Sequence, residues 1–298
     1  KPDALNARLR LPDLDAELSK IPRASKGLRD LVRIARLEAS RIAVEGNAAE
    51  VWTLYRDMLR SSRHLGRHGS TLERHVGAVL FIVTADSIEA WSENPRVDEN
   101  LLQTALTEVG TAYAASEPAS TSFKFAYVVT DEQLDDLCEL SSGLTASADF
   151  WLHREPELAR RIFQHEFTSL LEGVSVGGSV GTVRGHLSPA ELEPYIRRSP
   201  IARLVRPMRQ STVDLIEREE AWKNALEMAL AVQIHCRRHG RLPERADDLL
   251  GSGLGSIPAD PCDASRGKMR FRYEETAGEA VVWSVGDDGV DNGGDVRP

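Results

Sequence analysis

The chain ends in an acidic, glycine-rich run on which the interpretation of the preceding segments depends. It reads Trp283-Ser284-Val285-Gly286-Asp287-Asp288-Gly289-Val290-Asp291-Asn292-Gly293-Gly294-Asp295. Four aspartates, Asp287, Asp288, Asp291 and Asp295, fall within nine positions. Like charges at this density repel one another unless a cation, solvent or a proton relieves them. The glycines accept backbone angles that other residues avoid, so this segment can curl around a bound ion.

Calcium is the cation that suits this run. It takes several oxygen ligands from carboxylates and backbone carbonyls, whereas softer metals prefer the Cys and His side chains that the run lacks. The run is not an EF-hand loop, because the alternating acids and the closing glutamate of that loop are absent. We therefore predict a structural calcium loop of another type. Its candidate ligands are Asp287, Asp288, Asp291 and Asp295. The alternative is a solvated, disordered tail with Asp-Gly and Asn-Gly turns.

The segments before the run follow a characteristic order. Helical periodicity over residues 222–238 is followed by Gly240-Arg241-Leu242-Pro243, Asp247-Asp248-Leu249-Leu250, Asp260-Pro261 and Phe271-Arg272-Tyr273. This order resembles the globular domain of the major pseudopilin of type II secretion. In that family a helix and a Gly-x-Tyr-Pro turn precede an Asp-Pro-Trp-Gly loop, a Tyr-x-Tyr strand and a Ser-Leu-Gly-Ala-Asp-Gly calcium loop. Asp288 matches the aspartate of that last motif.

The resemblance covers residues 222–295, roughly a quarter of the chain. It implies a small α+β module with an antiparallel hairpin, a structural calcium ion and an extracytoplasmic location. Leu242 stands where the family has tyrosine, and Cys262 and Asp263 replace its Trp-Gly pair. The preceding helical region, with its Glu45-Gly46-Asn47-Ala48 turn, resembles uncharacterised bacterial envelope proteins, which implies no activity.

Length and composition predict a mainly α protein. With 298 residues and 41% hydrophobic content, the chain can bury a sizeable core in two unequal domains. We predict an arm or linker over residues 1–26, a helical bundle or helical-hairpin array over 27–212, and the pseudopilin-like module over 213–298. A period of 34 residues, which would indicate tetratricopeptide repeats, does not recur in register.

Charge and hydropathy bear on partners and location. Residues 1–75 hold 15 Lys and Arg against 10 Asp and Glu, a net charge of +5 that leaves −14 on the remainder. This asymmetry favours contact between domains rather than nucleic-acid binding. The most apolar run, residues 76–85, is shorter than the ~20 residues that span a bilayer. Because the sequence begins at Lys1 rather than Met, we expect that a signal peptide or membrane anchor has been removed.

Apolar spacing predicts four helices in the first part of the chain. The first has an apolar stripe at Leu28, Leu31, Ile34, Ala35 and Ile42, and Gly46-Asn47 ends it. The second covers residues 51–65, and the fourth covers residues 101–113. The third starts at a capping box of Ser70 with Glu73, stops before Pro95 and has the apolar breadth of a central helix.

The middle of the chain is less regular. Residues 116–122 predict a loop, residues 123–129 fit either a strand or a helix, and Thr130 with Gln133 predicts the start of another helix. Residues 150–171 are predicted helical, and Ser188-Pro189 starts a further helix. The five glycines of residues 173–185 predict a surface loop rather than a phosphate cradle, since no Gly-Lys-Ser/Thr follows. Pro200 and Pro207 mark the passage to the C-terminal module.

Signatures of catalysis are weak. His165-Glu166 lacks the second histidine of a His-Glu-x-x-His zinc motif, no Gly-x-Ser-x-Gly elbow occurs, and the other mid-chain histidines are His153 and His186. The adjacent acids Asp135-Asp136 and Asp247-Asp248 are typical of solvated helix faces rather than of glycosidase carboxylate pairs. Cys138, Cys236 and Cys262 are widely spaced, which favours free thiols over a Cys236–Cys262 bridge.

We therefore predict an extracytoplasmic scaffold or protein-interaction protein, periplasmic or in the cell envelope, with a protein partner. The alternative is an envelope hydrolase whose pocket lies between the helical region and the C-terminal module. The predicted strands of that module cover residues 271–273 and 281–284, with a turn at Ala277-Gly278.

Overall fold

The structure, a computed structural model, confirms a mainly helical protein with a small sheet near the C-terminus. It describes residues 6–7, 26–65, 67, 71–141, 157–168, 171, 187, 189–263, 265, 267–274, 278–286 and 290–294. The proposed capping box at Ser70 and the glycine-rich residues 173–185 lie outside them. Contacts divide the chain into two compact units, one of residues 1–65, 75–116 and 214–298, the other of residues 66–74 and 117–213.

The four N-terminal helices are confirmed. They are α1 (Lys26–Glu45), α2 (Ala48–Leu65), α3 (Thr71–Ser92) and α4 (Glu99–Ala114). Gly46 ends α1 with φ 90°, a left-handed angle at which its N–H still reaches the carbonyls of Ile42 and Ala43. Asn47 then starts α2, because its side-chain oxygen accepts a hydrogen bond from the Glu50 N–H at 3.2 Å. Asp98 caps α4 in the same way through Leu101 N, at 2.8 Å.

The predicted buried face of α1 is partly wrong. The helix packs through Val32, Ala39 and Ile42, whereas Leu31 and Ile34 lie on its exposed side. The side chain of Leu28 lies outside the described residues. The sequence of α1 carries apolar residues on two sides, so periodicity alone could not identify the side that faces the core.

The second unit contains a longer helix than predicted. Residues 116–118 form the start of the predicted loop, but helix α5 (Ala119–Ser141) begins within it and runs without a break through Thr130, which therefore starts no helix. Phe123 is fully buried, and Tyr127, one turn later, meets Phe167 of helical residues 157–168 (α6) edge to face at 5.4 Å. Burial of the aromatic side chains on one helical face resolves the ambiguity of residues 123–129 in favour of a helix.

Pro200 and Pro207, which were predicted to mark the passage to the C-terminal module, both belong to one long helix. After α7 (Pro189–Arg198), α8 extends from Pro200 to His239 and includes Pro207. Pro200 occupies the first helical position, where a missing N–H costs nothing. The helix predicted over 222–238 is therefore the end of a 40-residue helix.

The end of α8 lies at the centre of the first unit. Its large, fully buried apolar side chains include Leu226, Met228, Leu230, Val232 and Ile234. They belong to one hydrophobic cluster with residues of α2, α3 and α4, where Trp52 and Trp91 stack at 5.4 Å. Met269, Ala280 and Val282 of the C-terminal segment belong to the same cluster. Contacts thus group residues 214–298 with the N-terminal helices, a grouping that differs from the three consecutive segments predicted from the sequence.

The predicted hairpin is confirmed, and a third strand joins it. Strands β2 (Arg270–Glu274) and β3 (Glu279–Trp283) are antiparallel, with Arg270 opposite Trp283 and Tyr273 opposite Ala280. The two-residue strand β1 (Asn6–Ala7) pairs parallel with β3 and makes the order β1-β3-β2. The predicted arm over residues 1–26 therefore contributes an edge strand, which is too short for sequence periodicity to detect.

A buried ion pair lies within the first unit. The guanidinium of Arg63 on α2 donates to the carboxylate of Glu219 on α8, and both side chains are almost completely buried. The same guanidinium lies 4.6 Å from the Phe81 ring centre and 5.4 Å from that of Tyr113. A charge in this position requires its partner, because desolvation is offset by the pair and not by either ion alone.

We expect Glu219→Leu to lower the free energy of unfolding by about 3–5 kcal/mol, because the Arg63 guanidinium then stays buried beside a hydrocarbon. The double variant Arg63→Met/Glu219→Leu should regain most of that loss, since neither charge remains. Urea unfolding of the three proteins measures both quantities. Equal stability of the single and double variants would contradict this account of the pair.

Candidate functional site

Asp260 binds the first residues of the acidic run. It is fully buried, and its carboxylate accepts three hydrogen bonds. The Ser284 hydroxyl donates to Oδ1 at 2.7 Å, the Cys262 N–H donates to Oδ1 at 3.1 Å, and the Val285 N–H donates to Oδ2 at 2.8 Å. We call this set of contacts the Asp260 joint. It connects the Asp260-Pro261 loop directly to the start of the run.

The local backbone explains why Asp260 can make this joint. Its own N–H donates to the Gly267 carbonyl at 2.7 Å, and the neighbouring residues Ala259 and Lys268 form an isolated β-bridge. These contacts fix the shape of the loop that precedes β2. On the other side, the Ser284 hydroxyl also accepts the Gly286 N–H at 3.2 Å, so a short chain of hydrogen bonds positions residues 284–286.

Asp291 organises the later part of the run. Its Oδ1 accepts the Trp283 indole N–H at 2.9 Å and the Gly293 N–H at 3.0 Å. Its Oδ2 accepts from Arg270 Nε at 3.2 Å. Gly293 and Gly294 both have left-handed φ angles, of 67° and 79°. A Cβ atom at Gly294 would lie 3.2 Å from two Trp283 ring carbons, so this turn packs tightly against the indole.

Arg270 joins this turn to the Asp263 loop. Its guanidinium contacts Asp263 at 2.9 Å and Asp291 at 3.2 Å. Hydrogen bonds from the Ser265 hydroxyl and N–H, with a further contribution from Arg270, lower the pKa of Asp263 to about 2. The indole N–H of Trp283, the Gly293 N–H and Arg270 lower the pKa of Asp291. Both carboxylates therefore favour their charged form in the folded protein.

The structure describes one of the four predicted calcium ligands. Asp287, Asp288 and Asp295 lie outside the described residues. Asp291 offers the hard oxygen atoms that calcium prefers, but three hydrogen bonds already use its carboxylate, and one of them comes from a cation. Calcium would therefore have to compete with Arg270 for the carboxylate of Asp291. Among the residues that the structure describes, no cluster of three or more His, Cys, Asp or Glu side chains could hold a metal ion.

Two of the residues considered for hydrolysis, Asp248 and His165, have described side-chain contacts, and both accept backbone N–H groups. Asp248 accepts the N–H groups of Glu244 and Arg245 at 3.1 and 3.0 Å, so it caps the 3-10 helix Ala246–Ser252, and these bonds lower its pKa. The Nδ1 atom of His165 accepts the Leu187 N–H at 3.3 Å. His153, His186 and the side chains of Asp135 and Asp136 lie outside the described residues.

The two described cysteines are free thiols. Cys236 is buried within the core of the first unit, and burial raises the pKa of its thiol to about 11. Cys262 is partly exposed and serves the Asp260 joint through its backbone N–H. The side chain of Cys138 lies outside the described residues.

Sequence reasoning missed the role of Asp260 and Arg270. The Asp260-Pro261 pair was identified as part of a motif order, but a buried carboxylate that binds residues 24 and 25 positions later leaves no local pattern. The detectable signal was the pairing of an Asp-Pro loop with a Ser-x-Gly run in one short module. Arg270 gives a weaker signal, since basic residues are common in exposed strands.

Comparisons of the chain with protein-family models, with curated proteins and with solved structures find no match. The likeness to pseudopilins therefore rests on the motif order in the sequence. In the part of the chain that the structure describes, none of the helices combines the length and the apolar character needed to cross a membrane.

The Asp260 joint should contribute strongly to stability. We expect Asp260→Ala to lower the free energy of unfolding by about 2–4 kcal/mol, because three donors, two of them backbone N–H groups, lose their acceptor. Ser284→Ala removes one of the three bonds and should cost about 1 kcal/mol. Asp247→Ala, at an exposed aspartate, is the matched control and should change little. Equal losses for Asp260→Ala and Ser284→Ala would show that the backbone bonds contribute nothing.

The lowered carboxyl pKa values predict a defined acid sensitivity. A group whose pKa is lower in the folded state stabilises the protein above its unfolded pKa, and this contribution disappears as pH falls through the folded value. For Asp263 the window runs from 3.8 down to about 2. We expect the free energy of unfolding to fall less steeply over this window in Asp263→Asn than in the parent protein. Urea titrations across this window test it, and parallel pH profiles would refute it.

Proposed function

We propose that this protein is an extracytoplasmic scaffold or protein-interaction protein whose C-terminal residues form a pseudopilin-like module that calcium stabilises. The observation that carries the proposal is the Asp260 joint. It links the two motifs on which the resemblance depends, the Asp260-Pro261 loop and the run that begins at Ser284, through a buried carboxylate. A contact of this kind supports a folded C-terminal loop over a solvated tail.

The contacts on either side of Asp287 and Asp288 support this proposal. Contacts hold the chain at Val285, before Asp287 and Asp288, and again at Asp291, after them. Restraint at both ends of the segment favours a bound cation as the group that relieves the repulsion between its carboxylates. Asp287, Asp288 and Asp295 would supply the principal oxygen ligands, and Asp291 would join them at the expense of its contact with Arg270.

The order of elements supports the module further. The end of α8 is followed by the 3-10 helix Ala246–Ser252, by the Asp260 loop and by the β2–β3 hairpin. This is the order that the resemblance implies, although β1 adds a strand that it does not. Calcium in such a position would stabilise the fold rather than take part in a reaction, because it would bind the folded loop and not the unfolded chain.

The interaction role is supported by the first helix. Four large apolar side chains of α1, Leu31, Ile34, Leu37 and Val44, are exposed. Large apolar side chains exposed on one helix are a feature of protein contact surfaces. The extracytoplasmic assignment rests on the pseudopilin resemblance.

Thermal unfolding in chelator, in calcium and in magnesium tests the calcium proposal. We expect calcium to raise the melting temperature, magnesium to raise it less, and Asp288→Ala to abolish the calcium effect, because a cation that binds only the folded state stabilises it by mass action. Asp247→Ala, which removes an aspartate outside the run, should keep the full calcium response. A melting temperature that is the same in chelator and calcium would exclude a stabilising site in this loop.

A further inference from the structure

We infer that His235 and His239, at the end of α8, form a binding site for a divalent transition-metal ion such as zinc. The two histidines are four positions apart, so they share one side of the helix, and their ring centres lie 4.4 Å apart. The inference goes beyond the proposed function, because imidazole ligands suit a softer metal than calcium and the pair uses no residue of the acidic run.

His235 has a ring nitrogen that the fold leaves unused. The residue is only 7% exposed, and its buried Nδ1 atom has no hydrogen-bond partner in the part of the chain that the structure describes. An unpartnered polar atom in a protein interior is destabilising, and native proteins usually pair such an atom with a hydrogen bond, an ordered water or an ion. A ring nitrogen of neutral imidazole is also the atom with which histidine binds a metal.

The surroundings of His235 favour the neutral form that a metal requires. Burial lowers the pKa of this imidazole, and the charges of His239 and Arg241 lower it further, whereas the backbone and carboxylate of Asp248 act in the opposite direction. A histidine must lose its proton before it can bind a metal. His235 can therefore bind an ion at neutral pH without first releasing a proton.

His239 is exposed, so its side chain is free to turn toward an ion held by His235. It is the last residue of α8, and Gly240 ends the helix with a left-handed φ of 68°, at which its N–H donates to the Cys236 carbonyl at 2.9 Å. The pair therefore lies at the C-terminal end of a 40-residue helix. The last carbonyl groups and the helix dipole favour a positive charge at this end.

The basic side chains near the pair have partners of their own. Arg237 donates to two carbonyl groups of the connection between α3 and α4. Arg238 binds Glu99 at 2.7 Å, and Arg241 binds Glu244 at 2.7 Å. The positive charges that would repel a metal ion are thus partly balanced by groups other than the two histidines.

Two imidazoles make an open metal site. A structural zinc site takes all four of its ligands from the protein, whereas a site with fewer protein ligands keeps water or another small molecule in the remaining positions. Within the described residues, no third His, Cys, Asp or Glu completes a metal-binding group with this pair. Imidazole ligands favour zinc, copper and nickel over calcium and magnesium. We therefore expect an exchangeable transition-metal ion with open coordination positions.

Isothermal titration calorimetry of the full chain with zinc chloride, free of chelator, tests the inference. The parent protein should bind zinc, and His239→Gln should lose this binding with unchanged circular dichroism, because its side chain is exposed. His235→Gln should lose it as well. His64→Gln is the matched control and should bind zinc like the parent protein, since it removes an exposed histidine of α2 that is also four positions from another histidine, His68.

Electron paramagnetic resonance of the chain loaded with copper(II) counts the nitrogen ligands directly. The parent protein should show splitting from two imidazole nitrogens, and His239→Gln should show fewer. A parent protein that takes up no zinc, a His239→Gln variant that binds zinc like the parent, or identical copper spectra of the two proteins would overturn the inference. Loss of zinc binding in His64→Gln alone would overturn it in favour of a site on α2.

The Asp288→Ala variant separates this inference from the proposed calcium loop. It should bind zinc like the parent protein while its calcium response is lost, because the histidine pair and the acidic run share no residue. If Asp288→Ala abolishes zinc binding, the acidic run holds the zinc and the inference fails. If zinc does not bind but calcium still raises the melting temperature, the calcium module stands without the histidine site.

Discussion

The first unit depends on burial of the end of α8 on all of its sides. The apolar side chains from Leu226 to Ile234 point in different directions around the helix axis, and all of them are buried. A helix that is apolar all round requires neighbours on every side, because hydrophobic burial is the main favourable term in folding. Helices α2, α3 and α4 supply part of this cover, and Met269, Ala280 and Val282 of the C-terminal segment supply another part. The C-terminal hairpin is therefore built into the N-terminal core rather than attached to it.

Hydrophobic burial has no direction, so polar contacts decide the details that it leaves open. The buried Arg63–Glu219 ion pair fixes the position of α2 along α8. Polar contacts also fix the acidic run. The Asp260 joint binds its first residues, and Arg270 binds Asp291 in its later part and Asp263 in the preceding loop. Each contact is specific because a buried or partly buried polar group must meet a matching donor or acceptor. In the proposed calcium loop, protein contacts therefore position the backbone, and the ion would neutralise the remaining charge.

Much of the fold was predictable from local patterns. The end of α1 follows from Gly46, the starts of α2 and α4 follow from Asn47 and Asp98, and the hairpin follows from short alternating segments on either side of Gly278. The errors arose where a local signal was overruled by packing. Pro207 does not end α8, residues 119–122 of the expected loop are helical, and Leu31 and Ile34 of the predicted α1 stripe are exposed although Ile42 is buried. For the candidate site, the acidic run was evident, but the joint at Asp260 was not.

The sequence by itself determined the helical class, the approximate extents of the first four helices, the hairpin, and a terminal run of closely spaced carboxylates. These properties depend on residues that are close along the chain, such as caps, glycines and apolar repeats. Only the tertiary structure decided that residues 214–298 belong with the first helices, that Asp260 holds Ser284 and Val285, and that one apolar side of α1 stays exposed. Those features depend on contacts between residues far apart in sequence, and spacing along the chain does not encode which distant surfaces meet.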